Sequence, residues 1–123
     1  MRRQGFTIIE LVLVLAILAV LSVSAMPKIF GLTTEARTAT TDNMVGAVRT
    51  GIYLYHLYYQ ECPSMLLGLR LGPCSATNAC FGNVLKTPVR SQWSVLVRNR
   101  RFQAPDGRVF DYNLADDCSF NPL

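Results

Sequence analysis

An α+β chain is predicted: one long amino-terminal helix whose first half suits a membrane, and a small antiparallel sheet packed on its second half and stapled by disulfides. Three observations carry that expectation. Residues 6–26 are almost continuously apolar, and a three- and four-residue apolar repeat follows from Val45 onward. Short β-type segments then flank Pro105-Asp106-Gly107, and all four cysteines lie beyond the apolar run.

The apolar run counts 21 residues (26 − 6 + 1), broken only by Thr7, Glu10, Ser22 and Ser24. At about 1.5 Å per residue it spans roughly 30 Å, one hydrocarbon core. Arg2 and Arg3 precede it and hold the amino end in the cytoplasm, which sends the remainder to the other side. Glu10 is the exception inside the run. A carboxylate at that depth costs at least about 2.5–3.5 kcal/mol on insertion scales and therefore calls for a functional reason. Two arginines, a glycine and then the helix also read as a processing signal cut before its apolar core, the reverse of a secretory signal peptide.

The helix is expected from about Thr7 to about Gln60. Val45, Val48, Ile52, Tyr55 and Tyr59 recur at the steps of one buried face. Thr33, Thr34, Arg37, Thr41 and Arg49 are assigned to the opposite side. Pro27 removes a backbone donor and is expected to kink or loosen the helix. Gly31, Gly46 and Gly51 each lower its intrinsic stability by about 1 kcal/mol relative to alanine. Cys62-Pro63 ends it.

Residues 62–83, rich in Cys, Gly and Pro, read as an irregular stapled loop in which Leu66, Leu67, Leu69 and Leu71 offer a short helix. Residues 92–97, 100–104 and 108–113 suit strands, the last two joined by the Pro105-Asp106-Gly107 turn. In the first of them Trp93, Val95 and Val97 alternate with Ser94 and Arg98 on the wet side.

Composition sets the limits. The 123 residues are 50% hydrophobic. They allow one membrane helix and one small domain of roughly 95 residues. The formal charge of +4 includes Arg2 and Arg3, so a processed chain carries 4 − 2 = +2. That is too mild to argue for nucleic acid by itself. Cys62, Cys74, Cys80 and Cys118, an even number on the exported side, read as two disulfides. Three connectivities are open. The favoured one closes a small loop between Cys74 and Cys80 and ties the carboxyl end to the helix through Cys62 and Cys118. A zinc site is the weaker reading, because no Cys-x-x-Cys is present and the sole histidine, His56, precedes the first cysteine. No metal and no cofactor are expected. No nucleophile–base constellation and no Gly-rich phosphate loop is visible, so the chain does not read as an enzyme.

Gly5-Phe6-Thr7-Ile8-Ile9-Glu10, after a short basic leader and before the apolar helix, resembles the signal of type IV prepilins and of the pseudopilins of type II secretion. The resemblance is specific over residues 1–30 and only generic beyond, and one departure is that no glycine interrupts the helix before Gly31. It implies a pilin-like fold with a leader over residues 1–5, a transmembrane and assembly helix over 6–27, and a periplasmic or extracellular domain over 28–123. It implies cleavage between Gly5 and Phe6 and N-methylation of Phe6 by a leader peptidase and methyltransferase. Glu10 would then pair with the new amino group of Phe6 on a neighbouring subunit, setting register as both charges leave water together. The implied partners are other pilin-like subunits and an inner-membrane assembly platform, with the chain crossing that membrane once. Arg98, Arg100 and Arg101, within a basic cluster that includes Lys86, Arg90 and Arg108, offer a DNA-gripping face. The blander reading is a solvated or subunit-contacting face. A DNA- or surface-binding minor pilin and a membrane-anchored periplasmic binding module are the alternatives to a filament subunit.

Overall fold

Helix α1 runs from Ile8 to Tyr59, 52 residues, and continues through Pro27. The structure is a computed structural model that describes residues 4–115 and 117–123; Arg2 and Arg3 of the expected leader lie outside the described residues. The helix stops where the backbone of Gln60 turns left-handed (φ 57°). The Gln60 amide bonds the His56 carbonyl and its side-chain amide bonds that of Leu57, satisfying carbonyls that would otherwise be orphaned. Residues up to Ala36 and residues from Arg37 onward form separate compact units, and α1 contributes to each.

In the second unit five strands follow: β1 (Gly72–Pro73), β2 (Ser94–Val97), β3 (Arg101–Gln103), β4 (Val109–Asn113) and β5 (Ser119–Pro122). They form one antiparallel sheet in the order of the chain. The Pro105-Asp106-Gly107 turn joins β3 to β4 as expected, with Gly107 at φ 91° and Ala104 exchanging backbone bonds with Gly107 and Arg108. A left-handed φ of that size is nearly free of strain only for glycine.

One face of the sheet and one face of the helix share the core. Val45, Val48 and Ile52 of α1 are buried in the same cluster as Val95, Phe102, Phe110, Tyr112 and Phe120 of the sheet. Phe81, from the loop between β1 and β2, sits among Trp93, Phe102 and Phe120, with ring centroids 5.5, 4.5 and 5.8 Å away. Aromatic pairs of this geometry add about 0.5–1.5 kcal/mol beyond their buried area.

Several expectations need correction. Thr41, assigned to the exposed side, is fully buried at 0% exposure, because it lies one turn before Val45 on the same face. Tyr59, assigned to the buried face, is 58% exposed and stacks on Tyr55 and Tyr58 at the helix end. Val97 is 41% exposed, since the register of β2 against β3 shifts between Val95 and Val97 and breaks the alternation. The leucine-rich segment forms no helix. Its backbone is engaged elsewhere: Leu66 donates to Asn99, and Leu67 accepts from Phe81. Strands β1 and β5 carry too few residues to show a period.

Both sheet edges are blunted. β1 is two residues long and ends in proline, and Arg49 of the helix bonds the Phe120 carbonyl (2.8 Å) and the Asn121 side chain beside β5. The disulfides join Cys62 to Cys118 and Cys74 to Cys80. In the chain-entropy account the first, closing 56 residues of sequence separation, is worth about 4 kcal/mol and the second about 2.

Two predictions test this packing. A Cβ on Gly51 would collide with the Val84 carbonyl oxygen, whereas one on Gly46 meets nothing within 4 Å among the described residues. Gly51→Ala should therefore lower stability by about 1–3 kcal/mol through overpacking. Gly46→Ala should raise it by about 0.5–1 kcal/mol. Thermal unfolding of the two variants checks the opposite signs. Tyr112, whose hydroxyl donates to the Pro63 carbonyl at 2.7 Å, is pushed up to about 12, first by burial and then by Tyr55. Stability from the neutral phenol is complete below pH 10 and is lost as pH rises toward 12. Absorbance titration should show one late-ionising tyrosine, and Tyr112→Phe should remove that phase.

Candidate assembly site on the amino-terminal helix

Thr7 and Glu10 open the helix as a reciprocal pair. The Thr7 amide donates to Glu10 Oε2 at 3.0 Å, and the Glu10 amide donates to Thr7 Oγ1 at 3.3 Å. This is a capping box, with threonine at the cap and glutamate three residues on. The Thr-x-x-Glu spacing before an apolar run was legible in the sequence, although Glu10 was read there as a charge in an apolar run and a partner of Phe6 rather than as half of a cap. The carboxylate thus supports its own helix while keeping an oxygen for a second partner. It also lies at the positive end of the helix dipole, where a negative charge is favoured.

From Leu11 to Pro27 there are 17 residues (27 − 11 + 1) without a formal charge, about 26 Å of helix. Every one of them is exposed. Their few polar groups are satisfied internally: the Ser22 hydroxyl donates to Leu18 O at 2.6 Å, and that of Ser24 reaches Val20 O and Leu21 O. What remains is an apolar cylinder that is exposed among the described residues, long and apolar enough to cross a membrane. Phe6, 94% exposed, stands at its start beside Gly5, where an added Cβ would meet nothing within 4 Å. Among the described residues nothing crowds position 5.

The basic cluster is more neutralised than its sequence suggests. Arg100 and Arg101 both pair with Asp111, at 3.3 and 3.2 Å, leaving Arg98 exposed beside them. Arg108 bonds Asp42 of the helix at 2.6 Å and Asp106 of the turn at 2.7 Å, and lies 5.6 Å over the Phe110 ring. Burial raises the Asp106 carboxyl, but the amide and guanidinium of Arg108 outweigh it and hold the pKa below the usual value. The Thr41 hydroxyl interacts with the same carboxylate without forming a hydrogen bond of ordinary geometry. Stability from the ionised Asp106 is present above its unfolded pKa and fades as pH falls through the lower folded one.

His56, to which the sequence assigned no chemistry, lies with Nδ1 3.9 Å from Cys118 Sγ. The contact links residues 62 apart, and no local spacing could have announced it.

A long helix with an apolar, unpartnered first half, on whose second half a small disulfide-stapled antiparallel sheet packs, defines a pilin-like α+β protein. Residues 1–26 match the prokaryotic N-terminal methylation motif. Over 50 residues the chain is 42% identical to the type IV narrow pilus major component PilA5 of Thermus thermophilus, covering 41% of this chain and 43% of that protein. The chain thus spans under half the length of the curated relative it matches. No solved structure matches it. By the motif and by this 50-residue match the chain is similar to type IV pilins over part of its length.

The capping box makes its own prediction. Thr7→Ala removes the acceptor for the Glu10 amide and should loosen the first turn by about 0.5–2 kcal/mol. Amide exchange of the full chain in detergent should then accelerate over the first turn and stay unchanged in the sheet.

Proposed function

We propose that this chain is a structural subunit of a type IV pilus or a type II secretion pseudopilus, cut between Gly5 and Phe6, methylated at Phe6 and polymerised through its helix. The single observation that carries the reading is the carboxylate of Glu10 at the head of an apolar helical segment that stays exposed among the described residues. A bilayer satisfies that surface before assembly, with residues 6–27 spanning the inner membrane and residues 28–123 on its periplasmic side. Neighbouring helices satisfy it afterwards. The leader peptidase and methyltransferase and an assembly platform are the partners this route requires. A kink or softening at Pro27 would let the helix adjust between the two environments, since the proline removes one helical hydrogen bond.

Glu10 supplies the register. Once residues 1–5 are removed, the amino group of Phe6 is a cation at the head of each helix. Paired with Glu10 of a neighbour in apolar surroundings, it makes a correct contact tolerable, while a misplaced subunit leaves two buried charges unmatched, a loss of about 3–5 kcal/mol for a broken pair. The chain's role in this reading is structural and not catalytic.

A DNA-capturing minor subunit is the second reading, and the exposed Arg98 next to Arg100 and Arg101 is what favours it. Asp111 weakens it by neutralising part of that face. A membrane-anchored periplasmic binding module would use the same helix only as an anchor.

Three outcomes separate these readings. Co-expression with a cognate leader peptidase should yield a mature chain whose mass begins at Phe6, and retention of residues 1–5 contradicts the proposal. Glu10→Ala and Glu10→Val should both insert into membranes normally yet enter filaments poorly beside wild-type subunits; normal yield with either removes the register argument. In gel shifts across a salt series, DNA binding by the arginine face should fall with a log–log slope near about −0.9 per neutralised phosphate. Negligible binding is expected here, and tight, salt-sensitive binding would favour the minor-subunit reading.

A further inference from the structure

His56, Cys62 and Cys118 bring three ligand atoms within 4.8 Å of one another, at the end of α1 where the carboxyl-terminal segment is tied back. His56 is exposed, so burial in the core does not account for its position. A cleft of about 160 Å³ opens beside the group and is lined by His56 and Cys118 together with Asp117, Arg49 and Tyr53. In the structure the two sulfurs are joined. A newly made chain carries them as thiols.

We propose that in this dithiol state Cys62, Cys118 and His56 form a binding site for a thiophilic cation of the zinc class, and that the ion and the disulfide are alternative occupants of the same pair of sulfurs. One separation, from the imidazole to a sulfur, is close to what such an ion needs, while the two sulfurs, joined in the structure, would have to part to take it. With metal–sulfur and metal–nitrogen bonds of about 2.3 and 2.0–2.1 Å, a tetrahedral site sets nitrogen about 3.6 Å and a second sulfur about 3.8 Å from each sulfur. The observed separation of 3.9 Å between His56 Nδ1 and Cys118 Sγ is within a few tenths of the first value. Binding converts two thiols to thiolates and releases two protons to solvent. The two thiolates neutralise the divalent ion, so the filled site adds no net charge beside Arg49, whose guanidinium is already engaged by the Phe120 carbonyl and Asn121. Asp117 or a water entering through the cleft completes the coordination. An ion held there keeps both sulfurs from oxidation, so the staple to the carboxyl end closes only after the ion leaves. This inference does not depend on the filament reading.

The test uses the full-length chain in detergent with Cys74→Ser and Cys80→Ser in place, so that only one sulfur pair remains. A phosphine reduces that pair; it takes oxygen from water to become the phosphine oxide and leaves two thiols. Cadmium is the probe, read by thiolate-to-metal charge-transfer absorption. The expected result is one ion per chain, with none bound before reduction. His56→Ala should weaken binding by at least about tenfold, the lower bound already seen when a mere outer-shell partner is lost. The same substitution should leave the circular dichroism of the oxidised protein unchanged. Zinc should also slow re-oxidation of the pair by glutathione disulfide, and less so in His56→Ala. Equal cadmium affinity with and without His56 would mean that two thiols of a loosened chain bind by themselves, and would overturn the proposal, as would the absence of binding after reduction.

Discussion

The first half of the amino-terminal helix has an apolar surface that is exposed among the described residues. From Leu11 to Pro27 no side chain is charged and none is buried, so the energy that normally holds a helix to a domain is absent there. At about 25 cal/mol per Å², such a surface is too unfavourable in water to remain exposed. It must meet either lipid or other apolar helices. The capping box of Thr7 and Glu10 starts the helix without consuming the whole carboxylate, and the serines of the run bond back to their own carbonyls. In the proposed assembly, the carboxylate at the head of the cylinder is the group that distinguishes a correct neighbour from a merely apolar one.

The second unit solves the opposite problem. A domain of this size buries modest apolar area. It compensates with a dense aromatic cluster around Phe81 and with two disulfides, one of which fastens the carboxyl end to the helix terminus. Its edges are closed by Pro73 and by Arg49, which disfavours strand-to-strand association. The Arg108 bridge to Asp42 and Asp106 ties the β3–β4 turn to the helix. In a filament of the proposed kind, contacts between subunits would accordingly be directed to the helix.

Much of this was legible in the residues, and the boundary of legibility has physical causes. The helix limits followed from the apolar run and from Cys62-Pro63, because both signals are local. The β3–β4 hairpin followed from Pro105-Asp106-Gly107, whose turn chemistry is also local. Val45, Val48 and Ile52 were readable by period, but Thr41 was not, since a hydroxyl says nothing about which side it faces. Val97 was misplaced because a register shift cannot be seen in one strand alone. The leucines of residues 66–71 looked helical until their backbone partners, Asn99 and Phe81, were known. At the amino-terminal site the Thr7–Glu10 spacing was there to be read, whereas the approach of His56 to Cys118 depends on a contact 62 residues apart.

The central claim is that Glu10 of one subunit pairs with the amino group of Phe6 on another. Solid-state magnetic resonance on filaments grown from two separately labelled pools tests it most directly, with a nitrogen label on the Phe6 amine in one pool and a carbon label on the Glu10 carboxylate in the other. Because the labels never share a chain, any coupling between them arises between subunits. The account predicts a coupling that corresponds to an ion-pair separation of about 4 Å or less between nitrogen and carboxylate oxygen. Well-formed mixed filaments without such a coupling would contradict it.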